Sequence, residues 1–414
     1  MKLGIDIRAL QTGHKFRGIG EACKQTTNHL LSTLADDKDV KVIFFEYDDP
    51  GNDPKKLLTI PKGLAYTVRT VGPPPESELG NKKAKLRRAI RDLILDPIPE
   101  ARGCDVYLQY DYAMGVPSCV KRSLLMSYDF IPSIFKNQYF ISMWEPFRAR
   151  ALRSTVRTIY HNYRFNRIMK RSYKNARKVI AVSENTKNDA LRFTRAKAKN
   201  ISVVYFGIDE TINKTNGTNN KVEMPTKPYL LFVGAGDQRR RVDDLVAAFN
   251  NLRAAGNDIQ LALVGENFIK QETIPLLFVR DAVLNSSYKE DILMMGYVDD
   301  NTKQELYKNA IAYVYPTLYE GFGIPVLESM LLGCPIITYK NSSLPEIGGE
   351  YAHYAKDWWD LKILTEKILK QDARVRSKQL HGAKLHAQEF TWIRSAGSLY
   401  RIIDSVVEKR SKVL

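Results

Sequence analysis

Cysteine is scarce in this 414-residue chain, and the four present (Cys23, Cys104, Cys119, Cys334) form no C-x-x-C pair. That excludes a disulfide framework and a cysteine-ligated zinc module, and fits thiols used as small core residues in a reducing cytosol. The N-x-T sequons between 213 and 218 then carry no meaning. Histidine is also sparse: none of the six has metal-ligand spacing, so no metal is expected. No run reaches the ~18 apolar residues of a spanning helix. The chain opens directly on a strand pattern, so neither a cleaved signal nor a membrane span is expected. Acid is in deficit: 46 Asp and Glu against 63 Lys and Arg leave a net +17. Such an excess favours an anionic partner, whether nucleic acid, an acidic membrane surface or a phosphorylated substrate.

A hydrophobic fraction of 44% is ordinary for a soluble globular protein. The length suits two domains of roughly 200 residues. KLGIDIRAL, then the loop TGHKFRGIG, then the helical EACKQTTNHLLSTL and the strand VKVIFFEY set the rhythm of an α/β domain with a parallel sheet. Further strands are expected at 105–110, 123–129, 178–183 and 200–207. The stretch 209–228 is polar, ends in proline and lacks apolar period, which predicts a linker. The rhythm restarts with YLLFVG, IQLALVG, DILMMGYV, AIAYVYP and PIITY. The expected order is therefore a domain over 1–208, a linker over 209–228, a second domain over 229–390, and a helix over 391–414 packing back on the first domain, with a cleft between the two.

The segment YPTLYEGFGIPVLESMLLGCPIITYKNSSLPEIGG, 315–349, concentrates the chemistry. Pro325 suits the first position of a helix, and Gly333 followed by Pro335 closes it, predicting a helix over 325–332. Glu320 precedes this helix and Glu328 lies in its first turns. The glycine-flanked turn leaves N–H groups unpaired at the helix N-terminus, which carries partial positive charge and receives phosphate or sugar oxygens. Gly321 and Gly323 allow a close approach to the backbone. Two carboxylates beside such a turn, at the carboxyl end of a parallel strand, suit a ligand with both phosphate and hydroxyl groups. A nucleotide-sugar is such a ligand. Taken singly, Glu320 reads more readily as a solvated loop residue and Glu328 as a surface helix residue.

The full string resembles the hallmark of the retaining GT-B glycosyltransferases of family 4. Two glutamates with seven residues between them flank G-F-G, followed by GCP and SSLPE, as in that family. The likeness extends to MKLGIDIRAL with GIG at 18–20, KVIAVSENTKNDALRF, VVYFGID and GYVDDNTKQELYKNA. It implies two Rossmann-like domains with parallel sheets facing a cleft. It also implies transfer of a hexose from a GDP- or UDP-linked sugar to a glycan or lipid-linked acceptor, with no cofactor and no metal. By the same resemblance Glu320 faces the transferred sugar and Glu328 the ribose. Gly321, Phe322, Gly323 and Ile324 supply amides, and Val298 joins the donor side. Arg239 and Arg240, in FVGAGDQRRRVDDL, align with a family Arg-Lys pair that neutralises the diphosphate, and arginine can grip phosphate in bidentate fashion. Gly18 and Gly20 fall in the loop that in the family closes over the diphosphate. Where members commonly have His-Asp, this chain has Tyr128 and Asp129, so a catalytic role for an imidazole there is in doubt and Tyr128 reads equally as packing.

Basic charge is concentrated at 81–95, with six basic residues and one acidic. It recurs from Pro146 to Ser183, where eleven Lys or Arg occur with no Asp or Glu, among Phe147, Tyr160, Tyr163, Phe165 and Tyr173. These stretches read as an anionic membrane surface contact, a groove for an acidic acceptor, or solvated helix faces. The expected location is cytoplasmic, peripheral at the inner face of the cell membrane. Likeness to mannosyl- and rhamnosyltransferases of bacterial surface polysaccharide makes GDP-mannose the first donor expected. A sugar-nucleotide epimerase of the same architecture stays open. A basic nucleic-acid-binding protein is the third reading, although no nucleic-acid motif is visible and no such partner is expected.

Overall fold

In the computed structural model, residues 1–16, 18–35, 37–49, 51–72, 95–135, 152–208, 223–265, 268 and 277–408 are described. The chain divides into two compact units, Met1–Gly207 with Trp392–Leu414, and Ile208–Thr391. Residues 209–222 of the expected linker lie outside the described residues, as do 81–94 and 146–151 of the basic stretches.

The first unit is built on a seven-stranded sheet. Its strands are β1 (Lys2–Asp6), β2 (Lys41–Glu46), β3 (Tyr66–Thr70), β4 (Val106–Gln109), β5 (Ser123–Ser127), β6 (Lys178–Ala181) and β7 (Ile201–Val203), in the order β3-β2-β1-β4-β5-β6-β7. The second has six: β8 (Tyr229–Val233), β9 (Gln260–Val264), β10 (Ile292–Gly296), β11 (Ala312–Tyr315), β12 (Ile336–Tyr339) and β13 (His353–Ala355), ordered β10-β9-β8-β11-β12-β13. All pairings between these strands are parallel. Central strands such as LGID and YLLFV are buried along nearly their whole length, as parallel strands covered on both faces must be. Strands β3 and β13 carried no sequence signal. The first is an edge strand with mostly exposed side chains, and the second has three residues.

Each sheet reverses its winding once, between β1 and β4 in the first unit and between β8 and β11 in the second. Adjacent loops at such a point leave in opposite directions and open a crevice at the carboxyl ends of the strands. At the first switch point the buried Asp6 accepts from Arg8 Nε at 2.9 Å, and from Tyr107 Oη and Gln109 Nε2 at 2.8 Å each, tying β1 to β4.

The C-terminal helix Trp392–Glu408 belongs to the first unit, where it packs on the helix Gly18–Leu34 and sets Trp392 against Phe206 at 5.4 Å between ring centroids. All four cysteines are free. Among the described residues, no helix is long and apolar enough to cross a membrane, and no group of His, Cys, Asp and Glu is gathered as a metal site.

Candidate active site

The second unit's switch point brings together the ends of β8 and β11. After β8 the chain makes a 3-10 turn, Gln238–Arg240, and after β11 it runs through Thr317 to Glu320. The Leu318 N–H donates to Arg239 O at 2.8 Å, so the two loops are joined by their backbones. Their side chains then converge on one carboxylate. Glu320 Oε1 accepts from Arg239 Nη1 at 2.6 Å, from Tyr315 Oη, and from Thr317 Oγ1 at 3.3 Å, with Arg240 Nε at 3.5 Å. Every hydrogen bond this carboxylate makes among the described residues goes to Oε1, which leaves Oε2 for a ligand. Burial by itself would raise the Glu320 pKa. The charges of Arg239 and then Arg240, with the hydrogen bonds from Tyr315 and Arg239, outweigh it and hold the group down to about 2.

The two arginines differ in how they are held. Arg239 is 3% exposed, and its Nη1 also donates to Thr317 Oγ1 at 3.1 Å and to Tyr319 O. Arg240 donates to Ala235 O at 3.2 Å and lies 5.9 Å from the Tyr315 ring centroid. The Nε atoms of both are buried against Asp237, at 3.4 Å from its Oδ1 for Arg239 and 3.6 Å from its Oδ2 for Arg240, as ion pairs without hydrogen-bond geometry. The two cations thus share the carboxylates of Asp237 and Glu320, and gather positive charge at the carboxyl end of β8 and β11.

The glycine turn is clamped from the loop that follows β12. Ser343 Oγ donates to Glu320 O at 2.9 Å and to Phe322 O at 2.8 Å, while Ser342 Oγ accepts from Glu320 N at 2.9 Å. Asn341 Nδ2 donates to Thr317 O at 2.9 Å. This is the physical content of the SSLPE string: its serines hold the backbone that presents Glu320. The Phe322 side chain is buried, 6.1 Å from the Phe390 ring, so only the backbone of Phe322 can serve a ligand. Gly323 at φ 105° starts the helix Ile324–Leu331 with Pro325 in its first turn, and Gly333 at φ 72° ends it. The helix begins one residue earlier than the sequence suggests. Gly321, Gly323 and Ile324 line its N-terminus, where the first N–H groups have no intrahelical acceptor.

Glu328 points to a different partner. Lys303 Nζ donates to its Oε1 at 3.2 Å, and Tyr307 Oη lies 3.5 Å from Oε2, too long for a strong bond. Burial would lower the Lys303 pKa, but Glu328 and Asp300 raise it, so the ammonium stays charged. Lys303 rides on the helix Asp300–Asn309, whose N-cap Asp299 accepts from Thr302 N at 2.7 Å. Sequence reasoning missed Lys303; in NTKQEL it looks like a partner for Asp300 one turn away. Val298 is buried, so only its backbone can reach a ligand, and the neighbouring Tyr297 is 73% exposed.

In the first unit the sequence reading needs correction at the glycines. Gly18 and Gly20 are not loop residues, because the helix already begins at Gly18. A Cβ at Gly20 would lie 2.4 Å from His14 O and 2.5 Å from Lys15 Cα, whereas one at Gly18 would meet nothing. Gly20 thus lets the turn Gly13–Phe16 pack directly on the helix. That turn sets His14 Nε2 3.5 Å from the buried Asp111, a pair with no local sequence signal. Tyr128 is buried with its ring 5.7 Å from Phe206, as packing would have it, yet its hydroxyl has no partner. Asp129 accepts from Ile131 N at 2.9 Å, in the turn that enters the short helix Ile131–Ile134.

Comparison with known proteins covers both units. The family described as Glycosyltransferase Family 4 matches residues 26–211, and the family described as Glycosyl transferases group 1 matches residues 214–374. The serotype-specific mannosyltransferase WbdA of Escherichia coli is 24% identical over 418 residues, covering 96% of this chain and 47% of that protein. The O-antigen chain mannosyltransferase B of E. coli is 29% identical over 175 residues, 42% of this chain and 44% of that protein. The chain thus spans about half the length, or less, of these curated relatives. Among solved structures, Anabaena HepE in complex with UDP-glucose superposes with a TM-score of 0.64 at 15% identity, over 98% of this chain and all of that one.

Proposed function

We propose, for a chain that belongs to the family 4 glycosyltransferases and has their GT-B fold, the retaining transfer of a hexose from a nucleoside diphosphate sugar to a hydroxyl of a glycan or lipid-linked acceptor. Mannose from GDP-mannose is the first donor to test, by analogy with the mannosyltransferases above; HepE, with its bound UDP-glucose, makes UDP-sugars the second. The observation that carries the reading is the buried carboxylate of Glu320, fastened through Oε1 to Arg239 with Arg240 beside it, at the N-terminal side of the glycine turn.

A group held near pKa 2 is ionised at any physiological pH, so Glu320 carries negative charge rather than a proton. It serves the reaction by facing the positive charge that grows on the sugar ring as the bond to phosphate breaks. The departing diphosphate gathers negative charge at the same time. Arg240, the less committed of the two arginines, and the N-terminus of the helix Ile324–Leu331 neutralise it, and such fixed charges act most strongly on the transition state. Glu328, oriented by Lys303, accepts hydrogen bonds from the ribose hydroxyls. In this scheme the cations of the chain take the part that a divalent metal plays elsewhere.

A thermal-shift screen of nucleotides and nucleotide-sugars tests the proposal, since a specific ligand raises stability by mass action. Glu328→Ala should weaken GDP and UDP alike by about tenfold or more, the worth of hydrogen bonds to a charged group, with turnover at saturating donor nearly unchanged. A screen without a stabilising nucleotide, or unchanged nucleotide affinity in Glu328→Ala, would refute the donor site.

Peripheral attachment to an anionic membrane at the inner face of the cell is part of the same proposal. The helix Leu152–Asn175 buries Ile168, Met169 and Tyr173 and exposes Tyr163, Arg167, Lys170 and Lys174, three to four residues apart. A basic face carrying an aromatic ring is suited to lipid headgroups, at ~1 kcal/mol for each cation near the surface. Reversing Lys170 and Lys174 to Glu should cut co-sedimentation with anionic vesicles at least tenfold, and wild-type binding should fall as salt rises. Equal sedimentation of the two proteins would make this face ordinary solvated surface.

A further inference from the structure

The third arginine of the RRR run turns away from the other two. Arg241 has φ 43° and ψ 45°, a left-handed conformation that is uncommon outside glycine. Its guanidinium leaves the Glu320 cluster and donates to Asp243 at 3.1 Å and to Asp244 Oδ1 at 2.5 Å. The other oxygen of Asp244 accepts from Tyr339 Oη at 2.6 Å. Both Arg241 and Asp244 line a cavity of 410 Å³ that lies wholly within the second unit. Tyr339, Lys340 and Asn341, at the end of β12, and Trp358, just after β13, form its other walls.

The lining selects its ligand. Charges of both signs line it: the ammonium groups of Lys340 and Lys356 stand beside the carboxylates of Asp244 and Asp357, which a phosphate would also meet, and Arg241 is already paired with Asp243 and Asp244. A purely apolar molecule would cover the ammonium groups of Lys340 and Lys356 and give them no partner. A sugar ring satisfies both kinds of surface: its C–H face lies on an indole or phenol, while its hydroxyls donate to carboxylate and amide oxygens and accept from lysine and arginine. The volume falls within the range of small-ligand sites, ~300–1,000 Å³. The cavity also shares a wall with the catalytic loop. Leu318 lines it and donates to Arg239 O, and Asn341 holds Thr317 O, so the same backbone borders the cavity and presents Glu320.

We propose that this cavity is a saccharide-binding subsite for a sugar unit of the glycan acceptor, apart from the one that reacts; the assignment of an acceptor rests on the glycosyltransferase reading above. The test is direct binding of α-linked mannotriose to the full chain, followed by tryptophan fluorescence and calorimetry. Saturable binding is expected in the wild type, weakened at least tenfold by Trp358→Ala, severalfold by Lys340→Ala, and restored by Trp358→Phe, with GDP and UDP affinities unaltered. No saturable binding in the wild type, or unchanged binding in Lys340→Ala and Trp358→Ala, overturns the proposal. Lys340 is exposed, so Lys340→Ala decides the matter even if Trp358→Ala fails to fold. An absence of glycosyl transfer with every donor would strike the proposed reaction and leave this binding result standing, so the two failures are distinguishable.

Discussion

Glu320→Gln should lower turnover by about two to three orders of magnitude, the size of effect found when one fixed electrostatic group at a reacting centre is removed. Glutamine has nearly the same shape, so donor affinity should change far less than the rate. Stability should change as well. Arg239 and Arg240 would face a neutral amide in a buried setting, and removing one partner of such a pair costs about 3–5 kcal/mol. The pH dependence separates this from general damage. The Glu320 pKa is depressed from 4.5 to about 2, so its contribution to stability is complete above about 4.5 and is lost as pH falls through about 2. Chemical denaturation of the wild type at a series of pH values should therefore show a loss between those limits that Glu320→Gln lacks. Unchanged turnover in the variant would remove Glu320 from the reaction.

Arg239→Ala and Arg240→Ala should behave differently, although the sequence presents the two as an equivalent pair. Arg239 fastens Thr317, Tyr319 and Glu320 through one nitrogen, so its loss leaves a buried carboxylate with a single distant cation. The expected result is destabilisation by about 3–5 kcal/mol together with loss of activity. Arg239→Lys should not repair it, because an ammonium lacks the planar fork. Arg240→Ala leaves the Arg239–Glu320 pair in place and should fold almost as the wild type does. It should weaken a nucleoside diphosphate by about tenfold or more while barely altering the parent nucleoside, since only the former has phosphates to lose. Calorimetric titration with both ligands reads this out; equal losses would make Arg240 a purely structural residue.

Some of this was legible in the sequence. Apolar runs separated by helical periods announced two parallel α/β units, because parallel strands covered on both faces must be continuously apolar. Pro325, and Gly333 followed by Pro335, marked the ends of the helix Ile324–Leu331 to within one residue, since helix termini obey local rules of φ and hydrogen bonding. The family resemblance singled out Glu320, Glu328, Arg239 and Arg240 without saying what touches what.

Tertiary structure alone decided the contacts. Arg239 and Glu320 are 81 residues apart and meet because the sheet places β8 beside β11. Lys303 reaches Glu328 across 25 residues, and Ser342 reaches the Glu320 amide across 22. Whether Arg241 joins its neighbours or turns toward Asp244 is a matter of one left-handed residue that no periodicity records. Gly20 looked like a loop glycine because the packing that demands it, His14 O where its Cβ would be, comes from a turn whose position only the folded unit sets. Local chemistry determines where a chain starts and stops its elements; the order of strands in the sheet determines which ends become neighbours, and the site is made of those ends.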